Sequence, residues 1–292
     1  MPNSSSVCYP YGVIRLGHRQ SKAHNTQRYI KMKIVRIYMD NFLSNYCHLI
    51  ICEKTKEAII LDPLDVDKCL AEAERHSARI TTIINTHEHF DHIEGNPGIV
   101  AATGAKIHAH QNAMISIPNV DIGLSAGDLI AAGKEIRLRV LHTPGHTSAH
   151  VCLLSELGEP ALFCGDTLFN ASAGNCRYGG NIDDLYQTFI DQLAKLPDDT
   201  RIYPGHDYMV TNLKFSQQQE PGNRLAAEML AVAETLTPDD RTVTTLGVEK
   251  RINPFFRLKN KEIIRNLKNE FNAQKTDPKS VFIGLRSLRD RW

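Results

Sequence analysis

The stretch Thr86-His87-Glu88-His89-Phe90-Asp91-His92 decides how this 292-residue chain is interpreted. It places three imidazoles and Asp91 within six residues, directly after the apolar run at residues 80–84. That run predicts a buried strand, so the cluster begins where a strand ends. His87 and His89 would project to the same side of an extended chain and can share one metal ion. Asp91 and His92 follow as the chain turns away, so we expect them to serve a second ion.

Composition places the chain among ordinary globular proteins. Hydrophobic residues make up 42% and charged residues 23%, and this length predicts a large core and roughly two domains. The net charge of +1 argues against nucleic-acid binding, because no overall charge attracts a polyanion. No apolar run reaches the ~20 residues needed to span a bilayer, so no membrane partner is expected. The seven cysteines form no CxxC pair, which is typical of reduced thiols in the cytoplasm.

Residues 1–31 differ from the rest of the chain. They contain several serines and basic residues but no Asp or Glu. They also lack the continuous apolar segment of a secretory signal. We expect a disordered tail before Met32, and a mitochondrial transit peptide is the alternative.

Strand patterns dominate from Lys33 to about residue 207. A hairpin is predicted from two apolar segments around a polar turn, and more short strands follow, at residues 47–52, 58–61, 106–109, 134–141, 151–154 and 161–164. Helices are predicted after the N-cap Asp65, from the N-cap Asn96 to Gly104, and over residues 182–193.

The strand pattern largely disappears after residue 207. Helical patterns replace it, at residues 224–235, 261–271 and 278–289. We therefore predict an α/β catalytic domain at residues 32–207 and a smaller α-helical domain at residues 208–292.

Three further segments share one format, in which a strand end and a glycine turn precede one potential metal ligand. They are Thr143-Pro144-Gly145-His146-Thr147, Cys164-Gly165-Asp166-Thr167 and Tyr203-Pro204-Gly205-His206-Asp207. Glycine permits the sharp turn and the close backbone approach that a crowded site requires. Ligands at the same end of successive strands would converge above the sheet.

These segments together predict a binuclear metal site with seven ligands. The first ion would be bound by His87, His89 and His146, the second by Asp91, His92 and His206, and Asp166 would bridge the two. A water between two divalent ions is acidified towards hydroxide at neutral pH, which provides a nucleophile without any Ser or Cys. Asp91 and Asp166 are also predicted to be catalytic residues. Zinc is expected, with iron or manganese as alternatives. His48, His142 and His150 are predicted to be structural or to support the ligands.

The motifs THEHFDH, TPGHT, GDTLF and PGHDY, in this order and spacing, resemble the metallo-β-lactamase superfamily. Asp166 is present where relatives that hydrolyse β-lactams typically have cysteine. The second half of the chain resembles the glyoxalase II family of hydroxyacylglutathione hydrolases, at residues 212–215, 220–223, 253–257 and 285–290. The resemblance runs from about Met32 to Trp292 and implies an α/β fold, an αββα sandwich followed by a smaller helical substrate-binding domain.

The resemblance also implies a reaction, the hydrolysis of S-D-lactoylglutathione or a similar glutathione thioester to the acid and glutathione. Arg286 and Arg289 would bind the glycine carboxylate, Tyr208 the peptide, and Arg177 and Tyr178 the substrate from a loop. Arg177 stands where the family commonly has lysine, and its loop departs from the usual spacing. Residues 247–292 carry twelve Lys or Arg against five Asp or Glu, an excess that suits an anionic small molecule. A monomer is expected.

An oxidoreductase is the alternative function. A mononuclear iron persulfide dioxygenase would use His87, His146 and Asp166 as a facial triad and would act on glutathione persulfide. Such relatives usually lack the long helical C-terminal domain, and the second set of ligands would go unused. The glyoxalase-like ending also argues against a nuclease or lactonase of the same superfamily.

Overall fold

Strands fill the first part of the chain and helices the last. The computed structural model describes residues 32–271 and 275–292, so the expected tail at residues 1–31 lies outside the described residues. The strands are β1 (Lys33–Tyr38), β2 (Tyr46–Ile51), β3 (Glu57–Leu61), β4 (Arg79–Ile84), β5 (Lys106–His110), β6 (Ile122–Leu124), β7 (Leu129–Ala132), β8 (Ile136–His142), β9 (Val151–Ser155), β10 (Ala161–Gly165), β11 (Leu168–Phe169), β12 (Ser172–Ala173) and β13 (Arg201–Pro204).

The helices are α1 (Val66–Arg75), α2 (Phe90–Ile93), α3 (Asn96–Thr103), α4 (Ile182–Gln187), α5 (Met209–Gln219), α6 (Arg224–Ala233), α7 (Leu246–Ile252), α8 (Lys261–Phe271) and α9 (Pro278–Arg289). The predicted helices at residues 261–271 and 278–289 are confirmed as α8 and α9. Among the described helices, none is both long and apolar enough to cross a bilayer.

Two sheets form the centre of the fold. One has six strands in the order β1-β2-β3-β4-β5-β6, the other has five in the order β13-β10-β9-β8-β7, and β11 pairs only with β12. Successive residues of a strand face opposite sides of its sheet. Leu49 of β2 therefore packs under α1 and α3, while its neighbour Ile50 packs between the sheets with Phe163 of β10.

Helices cover the outer face of each sheet. Cys69 of α1 and Ile99 of α3 pack on the first sheet, and Phe189 and Phe282 pack on the second. The result is an α/β/β/α sandwich with a helical C-terminal region, as the sequence predicts. The C-terminal helices share one core with the second sheet, because Phe282 and Leu162 belong to the same buried cluster.

Three local predictions are confirmed. The hairpin forms from β2 and β3, which pair in antiparallel register. Asp65 caps α1, and its Oδ1 accepts from the backbone N–H of Lys68 at 3.0 Å. Gly104 ends α3 in the left-handed conformation, with φ of 70°.

Two other local predictions are wrong in detail. Gly95, not Asn96, is the N-cap of α3, because the Asn96 side chain is buried and exchanges hydrogen bonds with Asn85. The helix predicted over residues 182–193 ends at Gln187 and continues as a wider π-helical turn. The hydroxyl of Thr188 in that turn donates to the carbonyl of Pro144 at 2.7 Å, which joins the segment to a ligand-bearing loop.

Replacing Phe282 with alanine tests the shared core. Phe282 is fully buried, and its ring lies 5.0 Å from that of Phe255 and 5.3 Å from that of Phe189. Phe282→Ala is expected to lower the free energy of unfolding by about 3–5 kcal/mol in urea titrations. Phe42→Ala is the control, because Phe42 is 87% exposed and its loss should change the value by less than about 0.5 kcal/mol. If both substitutions lower the free energy of unfolding equally, Phe282 is not part of a core shared by the C-terminal helices and the second sheet.

Candidate metal centre

The turn after β4 carries the first of the predicted ligands. The Asn85 side chain, fully buried, donates to the carbonyl of His92 at 2.7 Å. The chain then enters the short helix α2, which directs the buried side chains of Asp91 and His92 inward. Phe90, the residue before Asp91, is 61% exposed and lies on the outer side of this helix.

Glycine turns bring two more predicted ligands to the same edge. β10 and β13 are parallel neighbours, so Gly165-Asp166 and Gly205-His206 leave the second sheet at the same end. The N–H of Gly205 donates to the carbonyl of Gly165 at 2.9 Å. A Cβ on Gly205 would lie 2.5 Å from Oδ1 of Asp166, so only glycine permits this approach.

The two sheets are joined by hydrogen bonds at this edge. The N–H of Tyr46 in β2 donates to the carbonyl of Gly205 at 2.7 Å, and the N–H of Val151 in β9 donates to that of Thr86 at 2.8 Å. Loops from both sheets therefore meet at one rim.

The predicted ligands converge there as two groups. In the first, Nδ1 of His89 lies 3.0 Å from Nε2 of His87 and 3.0 Å from Nε2 of His146. In the second, Nε2 of His92 lies 3.2 Å from Nε2 of His206. Oδ2 of Asp91 lies 3.5 Å from both of these nitrogens. Nitrogens around a tetrahedral zinc ion are about 3.3 Å apart, so both groups have the spacing of a metal site.

Asp166 lies between the two groups. Its Oδ2 is 3.6 Å from Nε2 of His146 in the first group and 3.1 Å from Nε2 of His206 in the second. Its Oδ1 is 3.5 Å from Nε2 of His92 and is buried without a hydrogen-bond partner. A buried carboxylate oxygen without a donor is energetically costly unless a cation compensates it.

Each clustered imidazole donates its outward N–H to a fixed acceptor. His146 donates to the carbonyl of Asn175, and His206 donates to that of Leu43. His89 donates to the carbonyl of Tyr178, and His92 donates to the carboxylate of Asp62. The fifth acceptor is the hydroxyl of Thr86, which gives its own proton to Asp62 and accepts from His87. The inward nitrogens are therefore the ones that can offer lone pairs to a cation.

The electrostatics of the cluster favour metal binding. Burial lowers the pKa of His87 well below its usual value and that of His146 to about 4, so both are neutral at neutral pH. Burial raises the pKa of Asp166, but His206 and His92 outweigh it and hold that pKa well below its usual value. The carboxylates of Asp166 and Asp62 outweigh burial at His92 and raise its pKa. A proton on His92 competes with a cation, so metal binding should weaken as the pH falls.

Three buried residues form hydrogen bonds that support the predicted ligands. Oδ1 and Oδ2 of Asp62 accept from the N–H and hydroxyl of Thr86, each at 2.7 Å. The Asn45 side chain donates to Oδ2 of Asp91 at 2.9 Å. Nε2 of His150 accepts from the N–H of Asp166 at 3.1 Å, which is the supporting role predicted for it. Asp62 and Asn45 were not predicted, because neither lies in a ligand motif.

A pocket of about 240 Å³ adjoins the cluster and contains all five predicted substrate-binding residues: Arg177, Tyr178, Tyr208, Arg286 and Arg289. The Tyr208 ring stacks on that of His206 with centroids 4.9 Å apart. Burial, followed by the charges of Asp166 and Asp91, raises the pKa of Tyr208, so its hydroxyl remains a donor at neutral pH.

The arginines of the pocket differ in their contacts. Arg286 is 7% exposed, and its Nη1 donates to the carbonyls of Ala173 at 2.6 Å and Gly174 at 3.2 Å. Arg289 uses Nε and Nη2 to bond Oδ1 of Asn212, at 3.2 and 3.0 Å, which leaves its Nη1 for a bound anion. Arg177 is more exposed and its guanidinium contacts the backbone carbonyl of Asp290.

The fold and the two converging histidine and aspartate groups define a class of protein. The sequence model of the metallo-beta-lactamase superfamily matches residues 41–206, and the chain belongs to this superfamily, whose sites bind divalent metal ions. The model of the hydroxyacylglutathione hydrolase C-terminus matches residues 207–292. Within the superfamily, the chain belongs to the hydroxyacylglutathione hydrolase family.

Individual relatives agree with this assignment. A protein named hydroxyacylglutathione hydrolase from Nitrosococcus oceani is 49% identical over 263 residues, covering 89% of this chain and all of that one. One named hydroxyacylglutathione hydrolase cytoplasmic from Arabidopsis thaliana is 34% identical, covering 85% of this chain and 95% of that one. The crystal structure of ETHE1 from Myxococcus xanthus is similar with a TM-score of 0.62 and 27% identity, covering 88% of this chain and 99% of that one.

Asp62→Asn tests the support of His92. The amide nitrogen of asparagine would face two donors, so His92 would lose its fixed orientation, and metal affinity should fall roughly 10- to 100-fold. Competition with a chromogenic chelator measures the change. Asp67→Asn is the control, because Asp67 is an exposed residue of α1 and its loss should leave the affinity unchanged. Unchanged affinity in Asp62→Asn would mean that His92 is not oriented by this carboxylate or is not a ligand.

Proposed function

We propose that the chain hydrolyses glutathione thioesters, converting S-D-lactoylglutathione to D-lactate and glutathione with two divalent metal ions. One observation carries the proposal: the two ligand groups adjoin a pocket lined by three arginines and two tyrosines. The 49% identity to a protein named hydroxyacylglutathione hydrolase, over its whole length, supports the same reaction.

The ligand set proposed for the two ions is the one expected from the sequence: His87, His89 and His146 for the first, Asp91, His92 and His206 for the second, and Asp166 for both. The first group is all nitrogen and the second includes a carboxylate, so zinc fits both, and iron or manganese fits the second. When bound, such ions lower the pKa of a water between them and polarise a carbonyl.

The protein side chains orient the thioester. Tyr208 stacks on His206 and keeps its proton, so its hydroxyl can donate to the peptide part of glutathione beside the second ligand group. Arg289, fixed by Asn212, offers Nη1 to the glycine carboxylate. Arg286 is committed to the pocket wall, so we assign Arg289 the main carboxylate contact and Arg286 the position of the wall. The departing thiolate is a good leaving group, because its thiol has a pKa of only about 8.5, so no strong general acid is required.

We propose the domain division expected from the sequence, with a catalytic domain at residues 32–207 and a substrate-binding domain at residues 208–292. The two family matches meet at residues 206 and 207, which supports it. A monomer is proposed, as expected from the sequence. A cytoplasmic location is proposed because the Arabidopsis relative is named cytoplasmic.

Thiol release tests the function directly. The chain should release free glutathione from S-D-lactoylglutathione, lose this activity when metal is removed with a chelator, and recover it when zinc is returned. Oxygen uptake with glutathione persulfide tests the dioxygenase alternative. Uptake of oxygen without release of thiol would reject the proposed function.

Arg289→Ala tests substrate binding. Loss of a charged hydrogen bond to the carboxylate, about 1.5–3 kcal/mol, should raise KM roughly 10- to 100-fold with little change in kcat. Arg291→Ala is the matched control, because Arg291 lies just beyond the same helix, its side chain is 58% exposed, and it lies 3.9 Å from Glu270. A rise in KM of the same size in both variants would mean that only general attraction of charge is involved.

A further inference from the structure

A hairpin next to the bridging aspartate forms one wall of the pocket. The hairpin comprises β11, β12 and the turn between them, residues 168–173, and begins two residues after Asp166. Phe169, Ser172 and Ala173 of this hairpin line the pocket. The Phe169 ring packs edge-on against the rings of His206 and Tyr208, with centroids 5.8 and 5.3 Å apart. The position of the hairpin therefore sets the shape of the pocket.

Side chains of the helical region bond the hairpin backbone. Asn212 of α5 donates to the carbonyl of Asn170 at 3.0 Å, and Asn253 donates to that of Ser172 at 2.9 Å. Arg286 of α9 bonds the carbonyl of Ala173. Two paired strands of two residues each are too short to fix the position of the hairpin. These long-range hydrogen bonds therefore determine where the hairpin lies.

Glu249 of α7 lies at the centre of these contacts. It is fully buried, and its two carboxyl oxygens accept four hydrogen bonds. Oε2 accepts from the N–H of Ala171 at 2.8 Å and from Asn253 at 3.3 Å. Oε1 accepts from Thr244 at 2.7 Å and from Asn170 at 3.3 Å. Ala171 has φ of 57°, the left-handed region that a non-glycine residue adopts only when its surroundings impose it.

A buried carboxyl group is an expensive means of stabilisation. Burial raises the pKa of Glu249 despite four hydrogen bonds, and apolar side chains of similar size often stabilise a core as well. What the carboxyl supplies, and an apolar group cannot, is an acceptor for the turn of the hairpin. The carboxyl group of Glu249 therefore fixes the geometry of the hairpin turn, although its burial is unfavourable.

We propose that Glu249 is a positioning residue for the glutathione pocket: it fixes the turn of the hairpin and thereby places Phe169, Ser172 and Ala173. The inference rests on the proposed function for its kinetic readout. It concerns the pocket and not the metal ligands, because Asp166 is fixed separately by β10 and by its bond to His150.

Glu249→Gln is the test, because it keeps the size of the side chain but turns one acceptor into a donor facing the donors around it. KM for S-D-lactoylglutathione should rise about tenfold, and the Kd for glutathione, measured by calorimetry on the metal-loaded chain, should rise equally. Metal content should stay the same and kcat should stay within about twofold. Unchanged KM and Kd, or a loss of kcat alone, would overturn the proposal.

Glu220→Gln is the matched control. Glu220 is also a buried glutamate of the helical region, 6% exposed, and it is bonded by Arg257, Asn260 and Asn223 instead of the hairpin. Its replacement should lower the thermal midpoint without changing KM or the Kd for glutathione. If Glu220→Gln raises KM as much as Glu249→Gln does, general loss of stability accounts for both results and the proposal fails.

Two further measurements cover other outcomes. If Glu249→Gln does not fold, Asn170→Ala is the substitute, because it removes a single donor to Glu249 from the hairpin side. A smaller rise in KM with unchanged kcat is expected for Asn170→Ala. No rise in KM would overturn the proposal. Amide hydrogen exchange at residues 168–174 should be faster in Glu249→Gln than in Glu220→Gln, and equal rates would also overturn it. Absence of thiol release by the unaltered chain would reject the proposed function, whereas the exchange result would still decide the role of Glu249.

Discussion

The whole site depends on how the outward nitrogens of its imidazoles are bonded. Five histidines converge in two groups whose inward nitrogens lie 3.0 to 3.2 Å from one another within each group, so the orientation of each ring must be fixed. Carbonyls, a hydroxyl and the carboxylate of Asp62 take the outward protons. The inward lone pairs and Asp166 then face a common space that suits cations. Turn glycines, strand ends and sheet-to-sheet bonds all serve to maintain this arrangement.

The helical region completes the site. Its helices share a core with the second sheet and its polar side chains bond the hairpin that follows Asp166. The proposed substrate pocket therefore has one wall from each part of the chain, with Tyr178 from the sandwich and Arg289 from α9. In the proposed function, the sandwich supplies the chemistry and the helices select the substrate, which agrees with the wide use of one fold for different reactions.

The sequence predicted the seven converging side chains because each lies in a short segment with a strand before it and a turn around it. Asp62 and Asn45 could not be found in this way, since they reach the ligands only through the folding of β2 and β3 beside β4. The two-residue strands β11 and β12 are too short to show a period. The burial of individual side chains also could not be predicted from the sequence. Arg286 and Arg289 look alike there, yet Arg286 bonds the pocket wall and Arg289 faces the pocket.

Anomalous diffraction from crystals of the zinc-loaded chain, collected at the zinc edge, tests the central claim most directly. Two peaks about 3.5–4 Å apart are predicted, one beside His89 and one beside Asp91, with the carboxylate of Asp166 between them. A single peak, or two peaks of which Asp166 contacts only one, would contradict the account.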